Sequence, residues 1–175
     1  MGNGVEIREG LPTDREALET LYSAAFPDEN LVPLLRELLN EADNVVSLVA
    51  RCDGEIVGHI AFTLCRIAGR EEIVHLLGPL AVSPKFQRQG IGGALIQEGL
   101  NRLTRQGAAQ VNVLGDPAYY SRFGFEPDRN VSPPYELPPE WIPAWRSIRL
   151  RDGNPYLSGE LVVPTPWRKQ LLWTS

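Results

Sequence analysis

The sequence is poor in the residues that staple or metallate a small domain. Two cysteines, Cys52 and Cys65, and two histidines stand among 175 residues. Two cysteines make no disulfide framework, so reduced thiols in a cytoplasmic protein are the simpler reading. Their spacing to the histidines gives no metal motif. No apolar run approaches the roughly 20 residues that cross a bilayer, so no membrane partner is expected. Met1-Gly2-Asn3-Gly4-Val5 lacks the basic region and apolar stretch of a secretory signal, and Glu6 stands where a myristoylation motif wants Ser or Thr. No basic run stands out and the formal net charge is −5, which argues against nucleic acid as a partner. An acidic surface favours encounter with a cationic amine without identifying one. Repeats and low-complexity segments are absent.

What remains is an ordinary globular composition and a length that suits one domain, residues 1–175, with a substantial core. Val5–Glu9 alternates briefly, as an edge strand does. Thr13-Asp14-Arg15-Glu16 reads as a capping box, with Ala17, Leu18, Leu21, Tyr22 and Ala25 following at helical spacing until Pro27. Asn30 is the expected cap of a second helix striped by Leu31, Leu34, Leu35, Leu38 and Leu39. Val45–Arg51 and Ile56–Ile67 are β-branched segments joined by Asp53-Gly54, a hairpin turn signal. A turn near Gly69 leads to a third antiparallel segment, Glu72–Val82, ended by Ser83-Pro84. A helix from about Gly90 to Gln106 stops at Gly107, and Gln110–Leu114 is a short strand. The helix makes a crossover, so that strand should run parallel to the one before it. Nine of the fifteen prolines fall between Pro127 and Pro166, so the part after about residue 127 reads as irregular, with strands at Trp145–Arg151 and Leu157–Val163.

The run Gln87-Arg88-Gln89-Gly90-Ile91-Gly92-Gly93-Ala94 lies between strand and helix. Strand, glycine-rich turn and helix together make an anion site, because backbone N–H groups at a helix start have no intrahelical partner. A P-loop needs Lys then Ser or Thr after its last glycine, and Ala94-Leu95 stands there instead. A dinucleotide fingerprint needs Gly or Ala at the sixth position from Gly90, which is Leu95. The pattern that fits is Gln/Arg-x-x-Gly-x-Gly/Ala, filled by Gln87, Gly90 and Gly92.

That pattern resembles the coenzyme A-binding motif of the GCN5-related N-acetyltransferase (GNAT) superfamily. Leu80-Ala81-Val82 is similar to the family's pantetheine-binding strand, and Tyr119-Tyr120-Ser121-Arg122-Phe123-Gly124-Phe125 to its late aromatic signature. Leu77-Gly78-Pro79-Leu80-Ala81-Val82 and Gly115-Asp116-Pro117-Ala118-Tyr119-Tyr120 are similar to the YhbS-like branch of that superfamily. The resemblance is strong over about residues 45–125 and thin after Pro127.

The resemblance implies an α/β (α+β) GNAT fold. Its mixed, mostly antiparallel central sheet is splayed between the fourth and fifth strands and flanked by helices, two of which border the acceptor site. It implies transfer of an acetyl group from acetyl-CoA, a co-substrate, to a primary amine of a small molecule or peptide. The attack is direct, in a ternary complex, with no metal. Gln87, Arg88, Gln89, Gly90, Ile91, Gly92, Gly93 and Ala94 would hold the pyrophosphate. Backbone N–H groups of Leu80, Ala81 and Val82 would hold the pantetheine and polarise the carbonyl. Tyr120 would be the general acid toward the sulfur, with Tyr119 its rival one residue away. Asp116 is the first candidate for the amine's base, against the plain reading as a turn or cap residue. Glu72 and His75 stand behind it, on opposite faces if both lie on the strand. Cys65 has no basic partner near it in sequence and direct transfer needs no covalent nucleophile. A second copy of the chain, in a homodimer, is the expected protein partner. The alternative from another class is a coenzyme A-binding sensor or partner module without catalysis; a nucleic-acid-binding protein is disfavoured by charge.

Overall fold

The computed structural model describes residues 4–151 and 156–174, so the first three residues of the N-terminal stretch lie outside it. In chain order the elements are β1 (Val5–Glu9), α1 (Arg15–Ala25), α2 (Val32–Leu39), β2 (Val45–Cys52), β3 (Glu55–Ile67), β4 (Val74–Val82) and α3 (Ile91–Arg105). They continue with β5 (Gln110–Leu114), α4 (Pro117–Ser121), β6 (Glu126–Pro127), β7 (Val131–Ser132), β8 (Trp145–Arg149), β9 (Gly159–Val162) and α5 (Leu171–Thr174). This is the expected mixed α/β class: strand pairing is mostly antiparallel, and β4 and β5 are the parallel pair the crossover required. The chain divides into two compact units, Met1–Thr63 with Gly78–Gly99, and Leu64–Leu77 with Leu100–Ser175.

In the first unit, β1 and β2 are antiparallel from Val5↔Cys52 to Glu9↔Leu48. The β2–β3 hairpin turns at Asp53 (φ 51°) and Gly54 (φ 81°), the two left-handed residues that Asp-Gly supplies. α1 buries Leu18, Leu21 and Tyr22, which meet Leu35 of α2, Val49 of β2 and Ala81 of β4 in one apolar cluster. α3 comes close to β3 because both carry glycine at the crossing. A Cβ at Gly58 would lie 3.0 Å from Ile91 Cγ2, and one at Gly99 only 2.1 Å from Phe62 Cε2. Ile91, Leu95 and Gly99 recur every four residues, so one helix face lies along the strand.

Two expectations in this unit are corrected. Thr13 and Glu16 form no capping box; a 3-10 turn, Pro12–Asp14, precedes α1 instead. Arg8 of β1 grips Asp14 with both guanidinium arms, at 2.8 and 3.1 Å, and Asp14 Oδ2 accepts the Leu11 N–H at 2.7 Å. A carboxylate paired with Arg8 thus organises the turn ahead of α1, in place of a Thr13 cap on the helix's own first donors. Nor does Asn30 cap α2: the cap position is Leu31, with no side-chain bond, and Pro33 pre-sets the first turn.

In the second unit, β5 lies between two partners. It pairs with β4 in parallel from Val74↔Gln110 to Leu77↔Val113, where the ladder ends, and with β8 antiparallel from Gln110↔Arg149 to Leu114↔Trp145. β8 also pairs with β6, and β9 pairs with both β7 and the end of β3. α3 ends as read at Gly107 (φ 87°): Gly107 N–H donates to Thr104 O and Ala108 N–H to Leu103 O, the two bonds of a Schellman motif. The proline-rich part is held by a polar knot. Asp128 accepts from Gln110 Nε2 (3.2 Å), Asn112 Nδ2 (3.0 Å) and the N–H groups of Asn130 and Val131 (both 2.9 Å). Trp145 donates its indole N–H to Val131 O at 2.7 Å and stacks edge-on against Trp173. What reads as irregular sequence is therefore packed structure, held by side-chain bonds that have no period.

Candidate functional site

The turn after β4 is built by contacts within the first unit. Ala81 points into the apolar cluster while Leu80 and Val82 are half-buried. Ser83 N–H donates to Val57 O at 2.8 Å, pinning the strand's end to β3. Gln87 then reaches back, its Nε2 donating to Val82 O at 3.1 Å, so the motif's first residue ties the turn to the strand. Arg88 has φ 64° and Gly90 φ 85°. The left-handed region costs a non-glycine residue roughly 1–2 kcal/mol, so Arg88 is held there by its surroundings. Gln87, Arg88, Gln89 and Gly90 are all exposed.

The first bond closing α3 runs from Ala94 N–H to Gly90 O at 3.0 Å. The N–H groups of Ile91, Gly92 and Gly93 precede it and have no protein acceptor among the described residues. A Cβ at Gly90 would meet nothing within 4 Å, so the space over the turn is open. Ile91 is 2% exposed and seated over Gly58. A buried anchor, an open face and unpaired donors suit an anionic group with several oxygens, and the arrangement fits a diphosphate.

The second unit carries the other residues singled out by sequence. Asp116 is exposed and caps α4: its Oδ1 accepts the Ala118 N–H at 3.0 Å, leaving Oδ2 without a protein donor among the described residues. Tyr120 follows one helical turn on and is 9% exposed. Its ring lies edge-on to Tyr119 and Phe125, at 5.1 and 5.7 Å between centroids. Its hydroxyl has no hydrogen-bond partner among the described residues. Burial raises its pKa above the ordinary value, with Tyr119 and Asp116 adding to the effect, so it stays protonated at neutral pH. Tyr119, the rival, is occupied: the Arg122 guanidinium lies 5.5 Å from its ring centroid and Phe123 packs on its edge.

The reserve bases fare worse. β4 starts at Val74, so Glu72 is not on the strand, and the parity argument relating it to His75 falls away. Arg70 grips the Glu72 carboxylate at 2.7 and 3.1 Å and holds its pKa below the usual range. His75 is on β4 and 6% exposed, with Nδ1 unpartnered; burial pushes its pKa down to about 4, far from that of an amine's base. Cys65 is buried, and burial pushes its thiol up to about 12, which removes it as a nucleophile.

Two features escaped the sequence. Gly115 is the seat of Tyr120: a Cβ there would lie 2.3 Å from Tyr120 Cε2. The signal available was a glycine at the strand's end just before the aromatic signature. The other is a buried chain, Tyr22 Oη to His59 Nδ1 at 2.7 Å and His59 Nε2 to Ser47 Oγ at 2.8 Å. His59 is 0% exposed and its pKa falls to about 3, so it is a neutral imidazole with both nitrogens satisfied. No local pattern could show it, because three elements supply its members.

Residues 43–127 match the family model of the acetyltransferase (GNAT) domain. The uncharacterized N-acetyltransferase YjhQ of Escherichia coli (strain K12) is 35% identical over 161 residues, covering 88% of this chain and 89% of that protein. The crystal structure of YhbS from Escherichia coli in complex with CoA superposes with a TM-score of 0.85 at 28% identity, covering 97% of this chain and 94% of YhbS. A GNAT acetyltransferase from Brucella melitensis in complex with acetyl-CoA gives 0.77 at 31% identity, over 95% of this chain and 99% of that one. Among the described residues no helix is long and apolar enough to cross a membrane, and no cluster of side chains could hold a metal.

Proposed function

The chain belongs to the GNAT acetyltransferase family, and from that membership we propose that it moves the acetyl group of acetyl-CoA to a primary amine of a small molecule or peptide. The observation that carries the reading is the Gln87–Ala94 turn, with its unpaired N–H groups and open face. The structures of YhbS with CoA and of the Brucella protein with acetyl-CoA support it.

Acetyl-CoA supplies an activated thioester and a thiol leaving group. The chain's residues then have four duties. The N–H groups of Ile91, Gly92 and Gly93 take the diphosphate, with the exposed Arg88 adding charge. The backbone of Leu80-Ala81-Val82 orients the pantetheine and polarises the acetyl carbonyl as negative charge develops on its oxygen. Asp116 has Oδ1 committed to its cap and uses Oδ2, through a water, to take the amine's proton. Tyr120 offers its unpartnered hydroxyl to the departing sulfur. Its raised pKa lies above that of a thiol, so full proton transfer is uphill; the hydroxyl stabilises the thiolate as a hydrogen-bond donor, and solvent supplies the final proton. Cys52 and Cys65, neither in a disulfide, fit a reducing cytoplasm as the place of work.

The test is release of free CoA thiol from acetyl-CoA by purified protein across a panel of amines, beside calorimetric titration with CoA. Micromolar affinity and amine-dependent release are expected. Tight CoA binding with no release toward any amine would favour the non-catalytic module. No binding at millimolar CoA would remove the family's function from this chain altogether.

A further inference from the structure

Arg146, on β8 in the second unit, is a buried cation without an anion. It is 9% exposed and forms no ion pair among the described residues. Its Nε–H donates to Phe125 O at 3.3 Å and its Nη1 to Pro143 O at 3.0 Å. Two of the guanidinium's five N–H donors are thus spent on carbonyls, and the other three have no acceptor among the described residues. The surroundings offer no countercharge. Val113, opposite Arg146 in the β5–β8 ladder, and Phe125 are each 1% exposed. Glu126 stands opposite Ser147, so strand parity turns it to the other face. Asp128 is spent on Gln110, Asn112 and two backbone N–H groups. Burying a charge is costly unless something pairs it, and carbonyl dipoles do so only in part. The position is also telling. Phe125 packs on the Tyr120 ring, and Gly115 N–H donates to Ala144 O at 3.0 Å, so the cation lies by the end of β5 from which Asp116 and Tyr120 follow. Above it, Pro143 is exposed and Ile142 is 59% exposed.

We propose that the free N–H groups of Arg146 take a carboxylate of the acceptor, so that the amine acetylated is one that also carries a carboxylate, as an amino acid or short peptide does. The inference rests on the acetyl-transfer reading and names the substrate class for it. A carboxylate presents two oxygens in one plane, which the edge of a guanidinium matches. The cofactor is the other source of an oxyanion. In the proposed reaction, however, Asp116 meets the amine and Tyr120 the sulfur, so an anion held beside them belongs to the acceptor.

Calorimetric titration of the purified full chain, with CoA present, against amino acids and dipeptides, each beside its own C-terminal amide, tests this without needing turnover. The amide keeps the amine and the skeleton and removes only the negative charge. The best-bound acid should bind about tenfold more tightly than its amide, and added salt should erode the difference. Arg146→Gln should erase the difference while CoA affinity stays as in the wild type. Arg146→Lys keeps the charge but not the fork and should retain part of it. Acids that bind the wild-type chain no better than their amides overturn the proposal, whatever the variants do. A preference that survives in Arg146→Gln overturns it as well. CoA is titrated beside dephospho-CoA in the same chains: a preference for CoA that Arg146→Gln abolishes would assign the cation to the cofactor's 3′-phosphate and overturn the acceptor role. Thiol release with the same pairs is read separately. Absent release with an intact acid preference would sink acetyl transfer and leave the anion site standing. Release toward acids and amides alike, with no preference in binding, would do the reverse.

Discussion

Tyr120 and Asp116 sit one helical turn apart, and conservative substitution tests them separately. Tyr120→Phe keeps the ring against Gly115, Tyr119 and Phe125 and removes only the unpartnered hydroxyl. It should lower kcat by roughly 10²-fold, somewhat less if water substitutes, with little change in the KM for acetyl-CoA. Full activity in Tyr120→Phe beside a dead Tyr119→Phe would place the role one residue earlier. Asp116→Asn keeps an oxygen for the Ala118 N–H, so Tm should be unchanged. With the carboxylate's basicity gone, kcat should fall about tenfold or more. An unchanged pH–rate profile would return Asp116 to capping alone.

At the scale of elements, the contact between α3 and β3 sets the geometry of the turn, since α3 begins where the turn ends. Gly99→Ala would drive a Cβ into Phe62, which is 0% exposed and cannot swing aside. Overpacking of this kind costs about 1–3 kcal/mol, despite the gain in helix propensity, and a lower Tm in thermal melts would show it. Gly90→Val tests the other end: its φ of 85° excludes a β-branched residue, so CoA binding should be lost while far-UV circular dichroism stays native. Elements governed by neighbours in sequence were legible beforehand. Asp53-Gly54 specifies its own turn, Gly107 its own helix stop, and Gln110–Leu114 emerges with the bounds expected. Misreadings came where a distant residue decided. Arg8 reassigned Asp14, and Arg70 occupied Glu72 in a segment taken for strand. The site divides likewise: the phosphate turn is a contiguous motif, whereas the seat of Tyr120 and the Tyr22–His59–Ser47 chain arise only on folding.

For the whole molecule, the two imidazoles couple stability to pH. His59 and His75 have folded pKa values of about 3 and about 4, below the 6.5 of an unhindered histidine. Between those values the unfolded chain holds protons that the native one does not. Stability is thus full above pH 6.5 and is lost as pH falls toward the folded values. Each imidazole contributes a slope of about 1.4 kcal/mol per pH unit, so chemical denaturation between pH 6 and 5 should show a loss near twice that. His75→Leu removes one titrating group and its unpartnered Nδ1, and should halve the slope.

Because each compact unit draws on two separate stretches of sequence, the polypeptide passes from one to the other after Thr63, after Leu77 and after Gly99. β3, β4 and α3 are the elements that carry it across. A cut after Thr63 divides the first unit, one after Gly99 divides the second and one after Leu77 divides both, and a ribosome that has delivered only the first 63 residues has made neither. Both fragments of a chain cut after Leu77 should therefore fail to fold alone, and complementation would require the two pieces together.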